Sequence, residues 1–166
     1  MGIAPPEPLG PRHDPSAFRS GEPFLDGWLR QRAAANQVSG ASRTYVLHDG
    51  GRVIAYYALA AGSVTREEAP GGVRRNMPAS IPVVILARLA VDQHWQGRGL
   101  GRALVRDAIL RVLQAAEIIG VRAILVHALR DDARRFWESC GFRPSPVDER
   151  MLMITPKEAR AAPTGR

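Results

Sequence analysis

Cysteine occurs once in the 166 residues, at position 140, and lysine once, at position 157. A lone thiol excludes an intramolecular disulfide. Histidines scattered at 13, 48, 94 and 127 offer no ligand cluster of metal-binding spacing, so no metal is expected. No apolar run reaches the roughly 18 residues of a membrane span. Residues 1–8 carry neither the basic nor the apolar region of a signal peptide, so a cytoplasmic protein without membrane contact is expected. Acid is scarce too: 16 Asp and Glu stand against 23 Lys and Arg, a formal charge of +7. With lysine nearly absent, the excess is arginine, which forks onto phosphate through paired hydrogen bonds. On composition alone the surplus fits either a solvated arginine-rich surface or a phosphate-bearing partner.

The length suits one core, and no internal repeat suggests two. One domain is expected over residues 9–156, behind a mobile proline-rich lead-in (1–8) and ahead of a flexible tail (157–166). Residues 22–35 read as an amphipathic helix with Phe24, Leu25, Trp28 and Leu29 inward. Residues 44–47 and 53–60 read as strands joined at Asp49-Gly50-Gly51, a hairpin signal. Residues 62–80 are polar and rich in glycine and proline, which predicts a long loop with a short helix near 66–69. The near-continuous apolar runs 83–91 and 123–128 read as buried strands. Residues 102–119 form a helix whose stripe is Leu100, Leu104, Ala108, Val112, Ala115 and Ile119. A short helix from 131 is capped by Asp131 or Asp132 and stopped by Gly141. Residues 142–144 and 151–154 read as closing strands.

Between the first apolar strand and the long helix lies Gln96-Gly97-Arg98-Gly99-Leu100-Gly101. Glycines let a backbone approach a ligand closely, and the helix beyond presents unpaired N–H groups and a positive dipole end to an anion. Arg98 and Arg102 add charge. The spacing is neither a dinucleotide fingerprint nor a P-loop. Taken alone, the turn is equally well a plain strand-to-helix connection.

The pattern Q-x-x-G-x-G resembles the acyl-CoA loop of the GNAT N-acetyltransferase superfamily. Trp137-Glu138-Ser139-Cys140-Gly141-Phe142 is similar to that family's Y-x-x-x-G-F ending, with tryptophan at the tyrosine position. Further stretches, among them Phe24 to Leu29, Ala35-Asn36-Gln37, Tyr56-Tyr57-Ala58-Leu59 and Ala87-Arg88-Leu89-Ala90-Val91-Asp92, resemble the GNAT toxins of bacterial toxin–antitoxin pairs over residues 9–155.

The resemblance implies an α/β (α+β) fold: a mixed, mostly antiparallel sheet with splayed middle strands and helices on both faces. It implies acetyl-CoA as co-substrate, held by main-chain groups of Leu89, Ala90 and Val91 and by Gln96, Gly97, Arg98, Gly99, Leu100, Gly101 and Arg102. It implies aminoacyl-tRNA as acceptor, a ribbon-helix-helix antitoxin as partner, and a homodimer. Arg30, Arg32, Arg43, Arg74, Arg75, Arg134 and Arg135 are the candidate phosphate contacts.

An α-amine titrates near 8, so it attacks a thioester with little help from a base. In the family the tyrosine protonates the leaving thiolate, and Trp137 cannot: an indole N–H donates a hydrogen bond but no proton. Three accounts stay open at Trp137: a weakened enzyme, protonation by water or another side chain, or a tolerated substitution in a toxic protein. Two alternative functions stand beside the main one. One is acetylation of a small amine or protein N-terminus; the other is a binding module that holds acyl-CoA or antitoxin without turnover. His127 and Cys140 read as structural, and Asn36 and Arg88 receive no chemistry.

Overall fold

The computed structural model describes residues 2–161. In chain order these form β1 (Glu7–Pro8), α1 (Pro23–Gln31), α2 (Ala33–Ser39), β2 (Arg43–Asp49), β3 (Arg52–Thr65), α3 (Gly71–Arg74) and β4 (Ser80–Val91). A 3-10 turn (Gln93–Trp95) leads to α4 (Leu100–Ala116), β5 (Ala123–His127), α5 (Asp131–Ser139), β6 (Arg143–Pro144), β7 (Met151–Ile154) and α6 (Pro156–Ala161). The sheet order is β1-β2-β3-β4-β5-β7-β6. β4 and β5 pair parallel; β1–β2, β2–β3, β5–β7 and β6–β7 pair antiparallel. This is the mixed, mostly antiparallel α/β class expected.

Two compact units divide the chain. The first comprises the residues up to Ala60 with Arg88–Asp107. Its core joins Leu25, Leu29 and Ala33 to Val46, Val53, Tyr56 and Ala90. Within it helices flank both faces of β3. Successive strand residues point to opposite faces; the Tyr56 hydroxyl donates to Leu25 O on α1 (2.7 Å), whereas the Tyr57 hydroxyl donates to Asp107 on α4 (2.5 Å). The second unit comprises Ala61–Ala87 with the chain from Ala108 onward. There Val64, Ile81, Val83, Ala123, Leu125 and Met153 share a core. The β4–β5 pairing consists of Val83↔Ala123, Val84↔Ile124 and Ile85↔Leu125 and goes no further, although β4 continues to Val91.

Several boundaries depart from the sequence reading. The single helix over 22–35 is two, turned at Arg32 (φ −123°), which lets Ala33 join the core. Phe24 is 59% exposed rather than inward, and Trp28 is half-buried. β3 runs on to Thr65, well into the predicted loop. Gly62 belongs in that strand because a Cβ there would sit 2.5 Å from Cδ1 of Ile85. The short helix falls at Gly71–Arg74, not 66–69. α4 ends at Ala116, so Ile119, 66% exposed, is no part of its buried stripe.

The ends and caps also differ. Neither Asp131 nor Asp132 caps α5; Arg130 holds that position without a side-chain cap, and both acids lie in the first turn. The lead-in is tied down, because β1 pairs Glu7 with Val46 and Pro8 with Tyr45. In the expected tail, 157–161 belong to α6 and 162–166 lie outside the described residues. α6 begins with a reciprocal cap: the Glu158 N–H donates to Thr155 Oγ1 (3.1 Å) and the Thr155 N–H to Glu158 Oε1 (3.0 Å). The T-P-K-E sequence carries that signal, and the sequence reading missed it.

Candidate functional site

The end of β4 and the glycine turn lie in the first unit and are braced from several sides. Asp92 is buried; its main-chain N–H donates to Ile54 O on β3 (2.8 Å). Its carboxylate accepts from the N–H groups of Arg19 (3.0 Å) and His94 (2.9 Å) and contacts His94 Nδ1 (3.1 Å). Burial pushes this carboxyl up, but those donors outweigh it and hold it below its ordinary value. The Gln93 N–H donates to Arg19 O (2.7 Å). Gln96 donates through Nε2 to both Ser20 O (2.9 Å) and Val91 O (2.8 Å), so this side chain pins the turn to the strand rather than facing a ligand. Arg98 donates to His94 O (3.2 Å) and lies 4.6 Å over the Trp95 ring.

Strand residues direct their main-chain groups to alternate edges. Asp92 points its N–H toward β3, so Leu89 and Val91 point theirs to the opposite edge. That is the edge on which the β4–β5 register has already ended. Ala90 is buried in the core, so its side chain offers nothing outward. Gly97 (φ 79°) and Gly99 (φ 81°) adopt left-handed backbone, and a Cβ at either would meet nothing within 4 Å. They turn the chain into α4, whose first-turn N–H groups at Leu100, Gly101 and Arg102 lie at the positive end of the helix dipole. The predicted cofactor residues therefore follow one another along one braced stretch of the first unit, in which the Gln96 side chain and the buried Ala90 have supporting parts.

The other predicted residues are less uniform. Trp137 is 7% exposed and packs edge-on against Phe136 (5.2 Å, 75°) and Phe142 (5.1 Å, 66°), while its carbonyl accepts from Phe142 N (3.1 Å). It fills the core side of α5. Cys140 is buried at the end of that helix, and Gly141 (φ 98°) turns the chain beyond it. Tyr56 and Tyr57 are wholly buried with their hydroxyls committed; burial raises the Tyr56 phenol far above its ordinary value.

Among the arginines, Arg30 and Arg43 are exposed, and each commits one N–H to the fold, Arg30 to Phe18 O (2.7 Å) and Arg43 to Gln37 O (2.7 Å). Arg134 is half-buried and pairs with Glu149 (3.8 Å). Arg32, Arg74, Arg75 and Arg135 are exposed.

Two groupings escaped the sequence reading. Arg88 lays its guanidinium over Phe24 (4.9 Å) and Trp28 (5.0 Å) of α1. The only signal in the sequence was the i, i+4 spacing of those aromatics. Glu7, His13 and His48 also converge, with ligand-type atoms within 4.8 Å of one another. Their hydrogen bonds assign a clasp rather than a metal centre. Nδ1 of His13 accepts from Gly10 N (2.9 Å) and Nδ1 of His48 from Gly51 N (3.0 Å). Each neutral ring must then carry its proton on Nε2 and donate it to a Glu7 oxygen, at 3.1 Å in both cases. No ring lone pair is left for a cation, and Arg12 already pairs with the same carboxylate.

Residues 40–144 match the acetyltransferase (GNAT) domain family. The chain is 54% identical over 160 residues to a tRNA-acetylating toxin of Mycobacterium tuberculosis, covering 96% of each chain. It is similar to the solved structure of AtaT complexed with acetyl-methionyl-tRNAfMet, with a TM-score of 0.88 at 28% identity, covering 96% of this chain and 98% of that one. It is similar also to a tyrosine-to-phenylalanine mutant of AtaT bound to the C-terminus of the antitoxin AtaR and acetyl-CoA. There the TM-score is 0.82 at 27% identity, with 97% of each chain covered.

Proposed function

The chain belongs to the GNAT acetyltransferase family, and from that membership we propose that it is a toxin that moves the acetyl group of acetyl-CoA onto the α-amine of aminoacyl-tRNA, stopping translation. The observation that carries the chemistry is the direction of the β4 main chain: Leu89 and Val91 direct their N–H groups to the edge away from β3, beyond the last β4–β5 pair at Ile85 and immediately before a glycine turn and a helix N-terminus. The 54% identity to a tRNA-acetylating toxin, over nearly the whole chain, favours the acceptor.

Acetyl-CoA, when bound, supplies an activated carbonyl and a thiolate leaving group. Main-chain groups of Leu89 and Val91 hold the pantetheine as an added strand. The amides from Gly97 to Arg102 hold the diphosphate, assisted by the Arg98 and Arg102 charges. Because Gln96 occupies the Val91 carbonyl, the N–H of Val91 is the group this residue offers to a developing oxyanion. The acceptor α-amine is substantially neutral at cellular pH and needs no strong base. Trp137 gives no proton to the departing thiolate, and the Tyr56 and Tyr57 hydroxyls are committed elsewhere; the proton that the attacking amine loses as the amide forms passes through water to the thiolate. A thiol titrates near 8.5, so the thiolate leaves without prior protonation, more slowly than with a positioned acid.

Residues 9–156 act as one catalytic domain, and the exposed Arg30, Arg32, Arg43, Arg74, Arg75 and Arg135 contact the tRNA backbone. The natural inhibitor is a ribbon-helix-helix antitoxin, and the working form is a homodimer in the cytoplasm; the similar AtaT structure bound to the C-terminus of the antitoxin AtaR supports an antitoxin partner. Among the described residues no helix is long and apolar enough to cross a membrane.

Labelled acetyl-CoA incubated with the protein and total charged tRNA tests the reading. Label is expected on the α-amine of the esterified amino acid. Label on a small amine or a protein N-terminus instead, or no transfer at all, would overturn it.

A further inference from the structure

In the unit that holds the glycine turn, three aromatic rings and one cation form a pile that starts in the core and ends in solvent. Tyr56 is wholly buried; Trp28 stacks on it with planes 10° apart and centroids 6.0 Å apart. The guanidinium of Arg88 lies over Trp28 and equally over Phe24. Phe24 stands one turn before Trp28 on α1, while Leu25 and Leu29 take the helix into the core. A single exposed apolar side chain carries little meaning. Phe24, however, is the only aromatic among the large exposed hydrophobics of the described residues, and the cation beneath it also lies over Trp28, which is stacked on the buried Tyr56.

The location adds to this. Arg88 precedes Val91 by three strand residues, about 10 Å along β4. That is comparable with the span from an esterified α-amine, across its ribose, to the base of the same nucleotide. Resting on the acyl-transfer reading above, we propose that Phe24, Arg88 and Trp28 form the platform for the acceptor's 3′-terminal nucleotide. Its base stacks on the outward face of Phe24, with the Arg88 guanidinium charge behind that ring. Unpaired bases are commonly received on aromatic faces and guanidinium planes, and such stacking tolerates any base or attached amino acid. A pocket selecting the amino-acid side chain would instead be concave and enclosed, and Phe24 offers an open face.

The test uses a microhelix bearing a non-hydrolysable aminoacyl amide and 2-aminopurine as its terminal base. With the wild-type protein, binding should quench the 2-aminopurine fluorescence. Phe24→Ala should abolish the quench and weaken binding roughly tenfold. Phe24→Trp should restore both, and Val38→Ala, at another exposed apolar position, should change neither. In steady state, Phe24→Ala should raise KM more than it lowers kcat, alike for tRNAs charged with glycine, leucine and glutamate.

The proposal is overturned if the wild-type protein acetylates charged tRNA yet produces no quench. A Phe24→Ala defect confined to one class of amino acid also overturns it, pointing to a side-chain pocket. If the wild-type protein acetylates no aminoacyl-tRNA, the acyl-transfer reading falls and this inference with it.

Discussion

At the scale of single residues, the proposed function makes Trp137 the determinant of rate and the two glycines of the turn determinants of affinity. Trp137 occupies the position of the family's acid and is locked between Phe136 and Phe142, so it serves packing and cannot serve proton transfer. Trp137→Tyr is therefore expected to raise kcat, by up to the hundred- to ten-thousandfold range of general acids. It should also cost about 1–2 kcal/mol of stability, because the smaller ring leaves part of its cage empty. Single-turnover rates at saturating acetyl-CoA check the first effect and thermal melts the second; an unchanged rate would mean that no acid is missing. Gly97→Ala or Gly99→Ala must hold an alanine at φ near +80°, which costs roughly 1–2 kcal/mol. Open space around both positions leaves strain as the only penalty. Calorimetry should show acetyl-CoA binding about tenfold weaker in either variant.

At the scale of elements, the connections carry more information than the elements themselves. β4 and α4 were legible as an apolar run and an apolar stripe, because burial on both faces and a 3.6-residue period both leave a mark in composition. The brace between them was not: Asp92 and Gln96 reach Arg19 and Ser20, more than seventy positions earlier, and nothing local encodes that contact. α6 shows the reverse case, a local signal passed over. Thr155→Ala removes one half of its reciprocal cap and should lower stability by about 1 kcal/mol, measured by chemical denaturation. Acetyl-CoA affinity should stay unchanged, since Thr155 lies in the other unit from the glycine turn.

At the scale of the whole molecule, acid stability and salt dependence follow from charges brought together by folding. Burial, then the nearby His48 and Arg12, lowers the His13 pKa below its ordinary 6.5. The unfolded chain binds that proton more readily, so this contribution is fully present above pH 6.5 and is lost as the pH falls through the folded value. Asp92, held below 3.8, contributes above that pH and loses its contribution only at stronger acid. Denaturation curves taken from pH 8 into strong acid should therefore show one loss below pH 6.5 and a further one below pH 3.8, and His13→Gln should remove the first. Reversing the charge of the exposed Arg74 and Arg75 should flatten the log–log salt dependence of tRNA binding, by about one unit of slope for each phosphate left without its arginine. An unchanged slope would free both of that role.

The sequence by itself determined the fold class, the glycine turn and the arginine surplus, because periodicity, glycine spacing and net charge are properties of neighbours along the chain or of the chain's total. Only the tertiary structure decided that Gln96 braces the turn, that Arg30 and Arg43 each give an N–H to a main-chain carbonyl, that Trp137 packs between two phenylalanines, and that Glu7, His13 and His48 meet. The physical reason is common to all four. A polar or aromatic side chain takes its role from the partner it reaches, and in each of these cases a partner is supplied by a segment outside its own secondary-structure element.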